Sequence, residues 1–292
     1  DGTLSLTAGT PDIGGLRASL GMMAAEELSI PLEKIRVAIG DTAGLGYNFL
    51  TGGSRATFSS GMATVEAARD IKKQACERAA KLWELPDEAV EWTSGAVRPA
   101  GTNAGKHQPL TLAGIAAIAG KTGGPIVGSS RINAHGAAPS FATHIADVEV
   151  DPGTGKVSIV RYTAIQDAGR AIHPSYVEGQ YQGGVVQGIG WALNEEYIYG
   201  ADGKMQNAGF LDYRVPVASD LPMIDTVIVE VPNPNHPYGV RGVGETPIVP
   251  PMAAIANAVR DATGLRLHEL PMSPPKVLAA LEKGRADKTA KM

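Results

Sequence analysis

Three glycine-rich segments are the parts of this sequence in which a ligand could be bound. They are TPDIGG (10–15), LTGGSRAT (50–57) and GVGETP (242–247), and each precedes a stretch with helical spacing of apolar residues. Backbone N–H groups at the start of a helix bind anions such as phosphate and pyrophosphate. One such segment is usually a plain connection, but three of them predict a site for an extended anionic ligand.

Glu245 is the strongest candidate for a catalytic side chain. It lies in a run of Gly, Val, Thr and Pro, with apolar residues after it. Where such surroundings keep water from a carboxyl group, its pKa rises toward the range useful for a general base. The other interpretation, which the residue pattern alone favours, is a carboxylate that interacts with the dipole at the start of the following helix.

Several common types of site have no counterpart in the sequence. None of the three segments ends in GK[ST] at P-loop spacing, and no strand–GxGxxG–helix element indicates a dinucleotide site. There is no nucleophile elbow, and the six scattered histidines form no HxxxH pair. The single cysteine, Cys76, excludes an intrachain disulfide and a cysteine-held iron–sulfur cluster. A metal held by protein side chains is therefore not expected.

The composition indicates a globular protein without a nucleic-acid-binding face. Of 292 residues, 43% are hydrophobic and 19% charged, and 26 Lys and Arg against 30 Asp and Glu give a net charge of −4. No apolar run has the length of a membrane span, and no signal peptide is present. We expect a cytoplasmic protein, or a periplasmic one if a segment upstream carries a signal. The start at Asp1, just before a strand, predicts a fragment or a processed product.

Apolar periodicity predicts an α+β chain of two lobes, each with mixed β-sheet and packed helices. The lobes are 1–125 and 126–284, with the connection placed in 98–125 and a disordered tail at 285–292. The predicted helices are 16–28, 59–85, 176–193, 250–264 and one from 274 to near 284. The predicted strands are 3–8, 35–39, 146–150, 157–163 and 225–231.

The predicted helix 176–193 is unusual because it contains five glycines. Each glycine inside a helix costs up to about 1 kcal/mol relative to alanine. So many of them predict that another group packs closely against the bare backbone of this helix.

Taken together, these segments resemble the xanthine dehydrogenase/aldehyde oxidase family of molybdenum hydroxylases. The stretch HPSYVEGQYQGGVVQGIGWALNEEYIY (173–199) resembles a glycine-rich helix of the family's large subunit. The stretch PNPNHPYGVRGVGETPIVPPMAAIANAVRDATG (232–264) resembles its GVGE element and the helix that follows. MMAAEELSIPLEKIRVAIGDT (22–42) and TGGSRAT (51–57) resemble segments at its cofactor loops. The matches follow the family's order over nearly the whole chain, which makes it similar to the C-terminal half of the molybdenum-cofactor-binding subunit.

The resemblance implies a molybdenum ion held by the dithiolene of a pyranopterin, which in bacterial members often carries a cytidine nucleotide (the cytosine dinucleotide form). It implies oxidation of a C–H bond of an N-heterocycle or an aldehyde, with water as the oxygen source. Glu245 matches the family's catalytic glutamate, the base that deprotonates the hydroxyl group on molybdenum. The residues implied to contact the cofactor are Gly14, Gly15, Gly52, Gly53, Ser54, Arg55, Ala56, Thr57, Gly184, Gln187, Gly188 and Gly244. At Gly14 and Gly15 the sequence departs from the family, whose usual glutamine is missing from DIGGLRAS.

The resemblance also implies partner chains. The family's upstream half contributes a further glycine-rich loop, so activity would require a chain with the N-terminal half of the molybdenum subunit. Electrons would leave through 2Fe-2S clusters in a small subunit, and then through an FAD subunit or a cytochrome. Two other interpretations stay open: a non-catalytic, truncated scaffold that binds the cofactor, and a nucleotide-binding enzyme unrelated to molybdenum.

Overall fold

The computed structural model describes residues 1–134, 136 and 139–289, so that His135 and the last three residues of the predicted tail lie outside the description. The chain divides into two compact units, Asp1–Ala138 with Asn233–Val240, and Pro139–Pro232 with Arg241–Met292. The first unit thus extends beyond residue 125, where the sequence placed the lobe boundary. The mixed α+β class is confirmed. None of the helices in the described ranges is long and apolar enough to cross a membrane.

The first unit combines a parallel strand pair, a long helix and a small antiparallel sheet. Its elements are β1 Leu4–Ala8, α1 Leu16–Leu28, β2 Ile35–Ile39, α2 Ala56–Trp83, β3 Val90–Thr93, β4 Ala96–Pro99, β5 Leu110–Thr111 and α3 Leu112–Ile118. Strands β1 and β2 pair in parallel with α1 between them along the chain. The order β3-β4-β5 forms an antiparallel sheet.

Helix α1 has the bounds and the buried face that the sequence predicts. Its side chains Leu16, Leu20, Met23 and Leu28 are almost completely buried, because they recur at helical spacing on one face. The helix ends where Ser29 adopts a left-handed conformation (φ 51°), and the Ser29 N–H donates to the last turn.

Two predictions for the first unit are wrong. The stretch 98–125 is not an irregular connection, because it contains β5, α3 and the last two residues of β4, and Val97 and Ile115 are buried against α2. Its many glycines, threonines and prolines favoured the prediction of a loop, although the stretch contributes to a short sheet with its own apolar residues. Helix α2 begins three residues earlier than predicted, at Ala56, and ends at Trp83 rather than at Leu85.

The second unit is a three-stranded mixed sheet with helices. Its elements are β6 Ala142–Val150, β7 Val157–Asp167, α4 Pro174–Leu193, β8 Ile224–Val229, α5 Pro250–Thr263 and α6 Pro274–Thr289. The sheet order is β6-β7-β8, in which β6 and β7 form the predicted hairpin and β8 runs parallel to β7. Its core contains Tyr162 and Ala164 from the sheet, Val185 and Ile189 from α4, and Ile255 and Val259 from α5.

Glycine and proline positions predict the ends of helix α5 correctly, but they do not predict the end of helix α6. Helix α5 begins at Pro250 and stops at Gly264, which takes the left-handed conformation (φ 74°), as predicted. Helix α6 instead continues through Gly284 to Thr289, so the predicted end near Gly284 is wrong. Alanine, arginine and lysine after Gly284 sustain a helix, and a Cβ at Gly284 would lie 3.0 Å from Leu265.

Two histidines, the buried His236 and the half-buried His144, predict a pH dependence of the fold's stability. Burial lowers the pKa of His144, whose Nδ1 lies 2.9 Å from the Tyr162 hydroxyl, to about 4. Burial likewise lowers the pKa of His236 to about 4, and its ring lies 5.3 Å from that of Phe58. Since an unfolded histidine has a pKa of about 6.5, the unfolded chain binds more protons between pH 6.5 and pH 4.

We therefore expect the free energy of unfolding to fall as the pH decreases from about 6.5 to 4. Each of the two histidines contributes a slope of up to about 1.4 kcal/mol per pH unit. Thermal unfolding of the wild type, His236→Phe and the exposed control His268→Gln across this range measures it. The slope should flatten in His236→Phe and persist in His268→Gln, whereas equal slopes in all three would contradict the assignment.

Candidate functional site

In the first unit, the segment LTGGSRAT forms a tight turn that leads into α2. Gly53 and Ser54 both adopt the left-handed conformation, with φ of 66° and 57°, and α2 then begins at Ala56. Ala56 and Thr57, predicted as loop residues, therefore lie in the first helical turn. A Cβ at Gly52 would lie 2.7 Å from Cδ1 of the exposed Leu50 side chain, which could move aside.

Arg55 closes this turn on itself. Its guanidinium donates to the carbonyl oxygens of Phe49 (3.3 Å) and Leu50 (3.0 Å), and lies 5.8 Å from the centre of the Phe49 ring. The side chain of Arg55, the N-cap residue of α2, makes no capping hydrogen bond, and the first turn of the helix contains no acidic residue. The N-terminus of this 28-residue helix therefore presents N–H groups and a positive dipole end to an anion.

The segment TPDIGG differs because an acidic side chain already occupies the start of its helix. Gly14 and Gly15 have φ of 59° and 76°, and Gly15 precedes the first residue of α1. The Asp12 carboxylate accepts from the Arg17 backbone N–H (3.2 Å) and from Arg17 Nε (2.7 Å), and these hydrogen bonds lower its pKa. A second anion at this helix start would meet the charge of Asp12, so the site suits an anion less well than the start of α2 does.

In the second unit, the glycine-rich helix α4 accepts a neighbouring proline-rich segment. A Cβ at Gly184 would lie 2.7 Å from Pro247 Cβ, and a Cβ at Gly188 would lie 2.7 Å from both Cβ and Cγ of Pro251. Such distances are shorter than real Cβ contacts, so only glycine fits at either position. The expected group against the bare backbone of α4 is thus the segment that follows Glu245, while contact of these two glycines with a cofactor stays a prediction.

A second face of α4 is open. No described atom lies within 4 Å of a Cβ built at Gly179 or at Gly183. Gln187, four residues after Gly183 and on the same face, is exposed. This face therefore leaves backbone accessible beside a side-chain amide.

Arg241 anchors the segment before Glu245 to the ends of the sheet strands. Its Nε lies 3.0 Å from the Asp167 carboxylate and donates to the Val231 carbonyl (2.8 Å), and its Nη1 donates to the Pro139 carbonyl (2.7 Å). The two charged side chains are 11% and 7% exposed. The loop that follows therefore starts from a fixed point.

Glu245 itself is exposed in this chain, at the beginning of a 3₁₀ turn formed by residues Thr246–Ile248. The expectation of a poorly solvated carboxyl is therefore wrong for the chain by itself, because the apolar residues after it pack onto α4 and not around the carboxylate. The Glu245 carbonyl accepts from Ile248 N–H (3.3 Å), and Thr246 Oγ1 donates to the Gly242 carbonyl (3.0 Å). The backbone around Glu245 is thus held on both sides while the carboxylate remains accessible.

Most of the residues that fix this loop belong to none of the sequence motifs that indicate chemistry. Arg241 and Asp167 were not singled out, although an arginine in an otherwise uncharged GVRGVG run is a visible signal. Pro247 and Pro251 have the same four-residue spacing as Gly184 and Gly188, which could have indicated that the two pairs interlock.

Comparison with known proteins places this arrangement in a family. Residues 1–222 match the model of the molybdopterin cofactor-binding domain. The chain is 32% identical over 288 residues to the xanthine dehydrogenase molybdenum-binding subunit of Escherichia coli, an alignment that covers 95% of this chain and 37% of the relative. It is 33% identical over 294 residues to the nicotine 6-hydroxylase large subunit of Paenarthrobacter nicotinovorans, which covers 96% and 35%.

Similarity to a solved structure supports the same family. The reconstituted CO dehydrogenase of Oligotropha carboxidovorans is similar with a TM-score of 0.82 and 27% identity, over 95% of this chain and 35% of that one. The chain therefore belongs to the xanthine dehydrogenase/CO dehydrogenase large-subunit family, as a molybdopterin cofactor-binding domain. It spans about a third of the length of these relatives.

The contact between α4 and the proline segment predicts opposite effects of the same substitution at neighbouring glycines. Gly184→Ala should lower the melting temperature, because the new Cβ displaces Pro247. Gly183→Ala should leave it unchanged or raise it, since alanine favours the helix by about 1 kcal/mol and its Cβ meets open space. Thermal unfolding of both variants decides it, and equal melting temperatures would contradict the close packing.

Proposed function

We propose that this chain is the part of a molybdenum hydroxylase large subunit that carries the catalytic base. The enzyme would oxidise a C–H bond of an N-heterocycle or an aldehyde, with water as the oxygen source. The observation that carries the proposal is an accessible carboxylate, Glu245, on a loop held at both ends in a chain of this family. Similarity to the nicotine 6-hydroxylase large subunit of Paenarthrobacter nicotinovorans supports the substrate class.

The residues present fit a pyranopterin cofactor with a phosphate group, and we propose the molybdenum–pyranopterin cofactor, for which the cytosine dinucleotide is one form. The start of α2, which follows the left-handed turn of Gly53 and Ser54 and has no acidic residue in its first turn, suits a phosphate or pyrophosphate group. The open face of α4 at Gly179 and Gly183 leaves room for a planar ring beside the Gln187 amide, which both donates and accepts hydrogen bonds.

When bound, the cofactor supplies the two-electron oxidation, and the protein supplies position and proton transfer. Glu245, which is exposed in this chain, would accept a proton at a carboxylate oxygen. Water would be excluded from Glu245 by the cofactor and by parts of the subunit that the relatives have beyond this chain's third of their length.

The proposed partners follow from the same assignment. They are the upstream part of the molybdenum subunit, a small subunit with 2Fe-2S clusters, and an FAD subunit or a cytochrome that accepts the electrons. A non-catalytic scaffold is the second candidate, because the chain spans only about a third of its relatives. Purification of the assembled complex separates them: molybdenum with C–H oxidation supports the enzyme, and molybdenum without turnover supports the scaffold.

The sharpest test of the enzyme is Glu245→Gln. Glutamine has nearly the same size but cannot accept the proton, so turnover per bound molybdenum should fall by ~10²–10⁴-fold. Glu245→Asp keeps the charge but shortens the reach, and should lose about 10²-fold. Folding and molybdenum content should stay near wild type in both variants, because the side chain is exposed.

The measurement is the rate at which substrate reduces the enzyme under anaerobic conditions, corrected for molybdenum content. Glu282→Gln, an exposed glutamate on α6, is the matched control and should react at the wild-type rate. If Glu245→Gln reduces at the wild-type rate with only a modest loss of stability, Glu245 is a carboxylate at a helix start and not the base.

A further inference from the structure

The ion pair between Asp167 and Arg241 is built as a junction of separate segments. The Arg241 side chain reaches the carbonyl of Pro139, before β6, and the carbonyl of Val231, after β8, and its backbone N–H donates to Ala168, after β7 (3.1 Å). Three strand ends therefore meet at Arg241, two at its guanidinium and one at its backbone N–H, and the loop toward Glu245 begins there.

The carboxylate of Asp167 is itself fixed before it meets Arg241. Its Oδ1 accepts from the backbone N–H of Gly169 (2.8 Å) and of Val231 (3.0 Å), while its Oδ2 lies 3.0 Å from Arg241 Nε. Oδ1 of Asp167 therefore links two strand ends, and Oδ2 interacts with Arg241. Because a planar guanidinium and a carboxylate with fixed donors interact directionally, this pair sets the direction in which the loop leaves the sheet.

The need for such a fixed point follows from the length of the loop. Glu245 lies four residues after Arg241, and four extended residues span up to about 14 Å. A displacement of about 1 Å at a reacting group lowers the rate by about 10²-fold. The glycines of α4 hold the chain only after Glu245, at Pro247 and Pro251, so the preceding side needs its own anchor.

Stability by itself does not explain why charged residues occupy this position. The gain from a buried ion pair is largely offset by the removal of both charges from water, so such pairs add little net stability. A requirement for one loop geometry does explain them.

We propose that Asp167 and Arg241 are positioning residues that fix the backbone before Glu245 and act on turnover through that carboxylate; this rests on the proposed role of Glu245. The chain offers a matched comparison within the same sheet. Arg161 Nε and Asp225 lie 3.2 Å apart, but their side chains are 66% and 52% exposed. That pair fixes no loop and should have no effect on turnover.

The test uses the assembled holoenzyme with Arg241→Lys and Asp167→Asn, and with Arg161→Lys as the control. Lysine keeps the charge but cannot bond Asp167 and both carbonyls with one planar group, and asparagine keeps an acceptor oxygen for the backbone donors. Both variants should retain molybdenum, and kcat per molybdenum should fall by about 10²-fold with KM little changed. Hydrogen exchange at the amides of residues 242–246 should accelerate in both and remain unchanged in Arg161→Lys.

A double variant separates positioning from general damage. If Arg241 acts through Glu245, Arg241→Lys combined with Glu245→Gln should be no slower than Glu245→Gln alone, because the positioned group is already lost. Losses that multiply, or a wild-type kcat in both single variants, would overturn the positioning role. Loss of molybdenum or of folding with normal kcat per molybdenum would also overturn it, by showing a structural role.

Failure of the proposed function would look different. In that case Glu245→Gln itself would turn over at the wild-type rate, whatever Arg241→Lys does. If instead Glu245→Gln is slow and Arg241→Lys is not, the base stands and only the positioning pair is wrong.

Discussion

The close approach of the chain after Glu245 to the bare backbone of α4 is the constraint on which the second unit depends. Pro247 and Pro251 occupy the space that Cβ atoms at Gly184 and Gly188 would need. Helix α4 gives up helix propensity at these glycines, and the packing of its apolar face against the sheet offsets the loss. Proline has a fixed φ, and the space beside Gly184 and Gly188 is just deep enough for the two prolines. The turn after Glu245 therefore has little conformational freedom.

The same device recurs elsewhere in each unit. In the first unit a Cβ at Gly61 of α2 would lie 2.8 Å from Met23 Sδ and 3.3 Å from His236 Nε2, so this glycine admits the buried histidine. In the second unit a Cβ at Gly155, in the β6–β7 hairpin, would lie 2.2 Å from the Pro274 carbonyl oxygen at the start of α6. Many of the 36 glycines therefore determine which backbones touch, as well as where the chain turns.

How much the sequence predicts depends on how local the cause is. Helix α1 and the end of α5 at Gly264 follow from spacing and capping within a few residues, and they were predicted correctly. The sheet in 90–111 and the pairing of Asp167 with Arg241 depend on contacts between distant positions, which periodicity does not encode. Glu245 was identified from its loop and from the family resemblance, whereas its exposure could be learned only once its apolar neighbours were seen to pack on α4.

A crystal structure of the assembled subunit with its molybdenum cofactor bound tests most directly whether the loop with Glu245 is held in place beside the cofactor. We expect Pro247 to remain against Gly184 and Arg241 to remain against Asp167. The backbone of residues 241–251 should differ from the present structure by less than about 1 Å. We also expect a Glu245 carboxylate oxygen within about 2.6–3.2 Å of a cofactor atom. A loop in which Pro247 no longer contacts Gly184, or a Glu245 side chain that points away from the cofactor, would contradict the proposed role of Glu245.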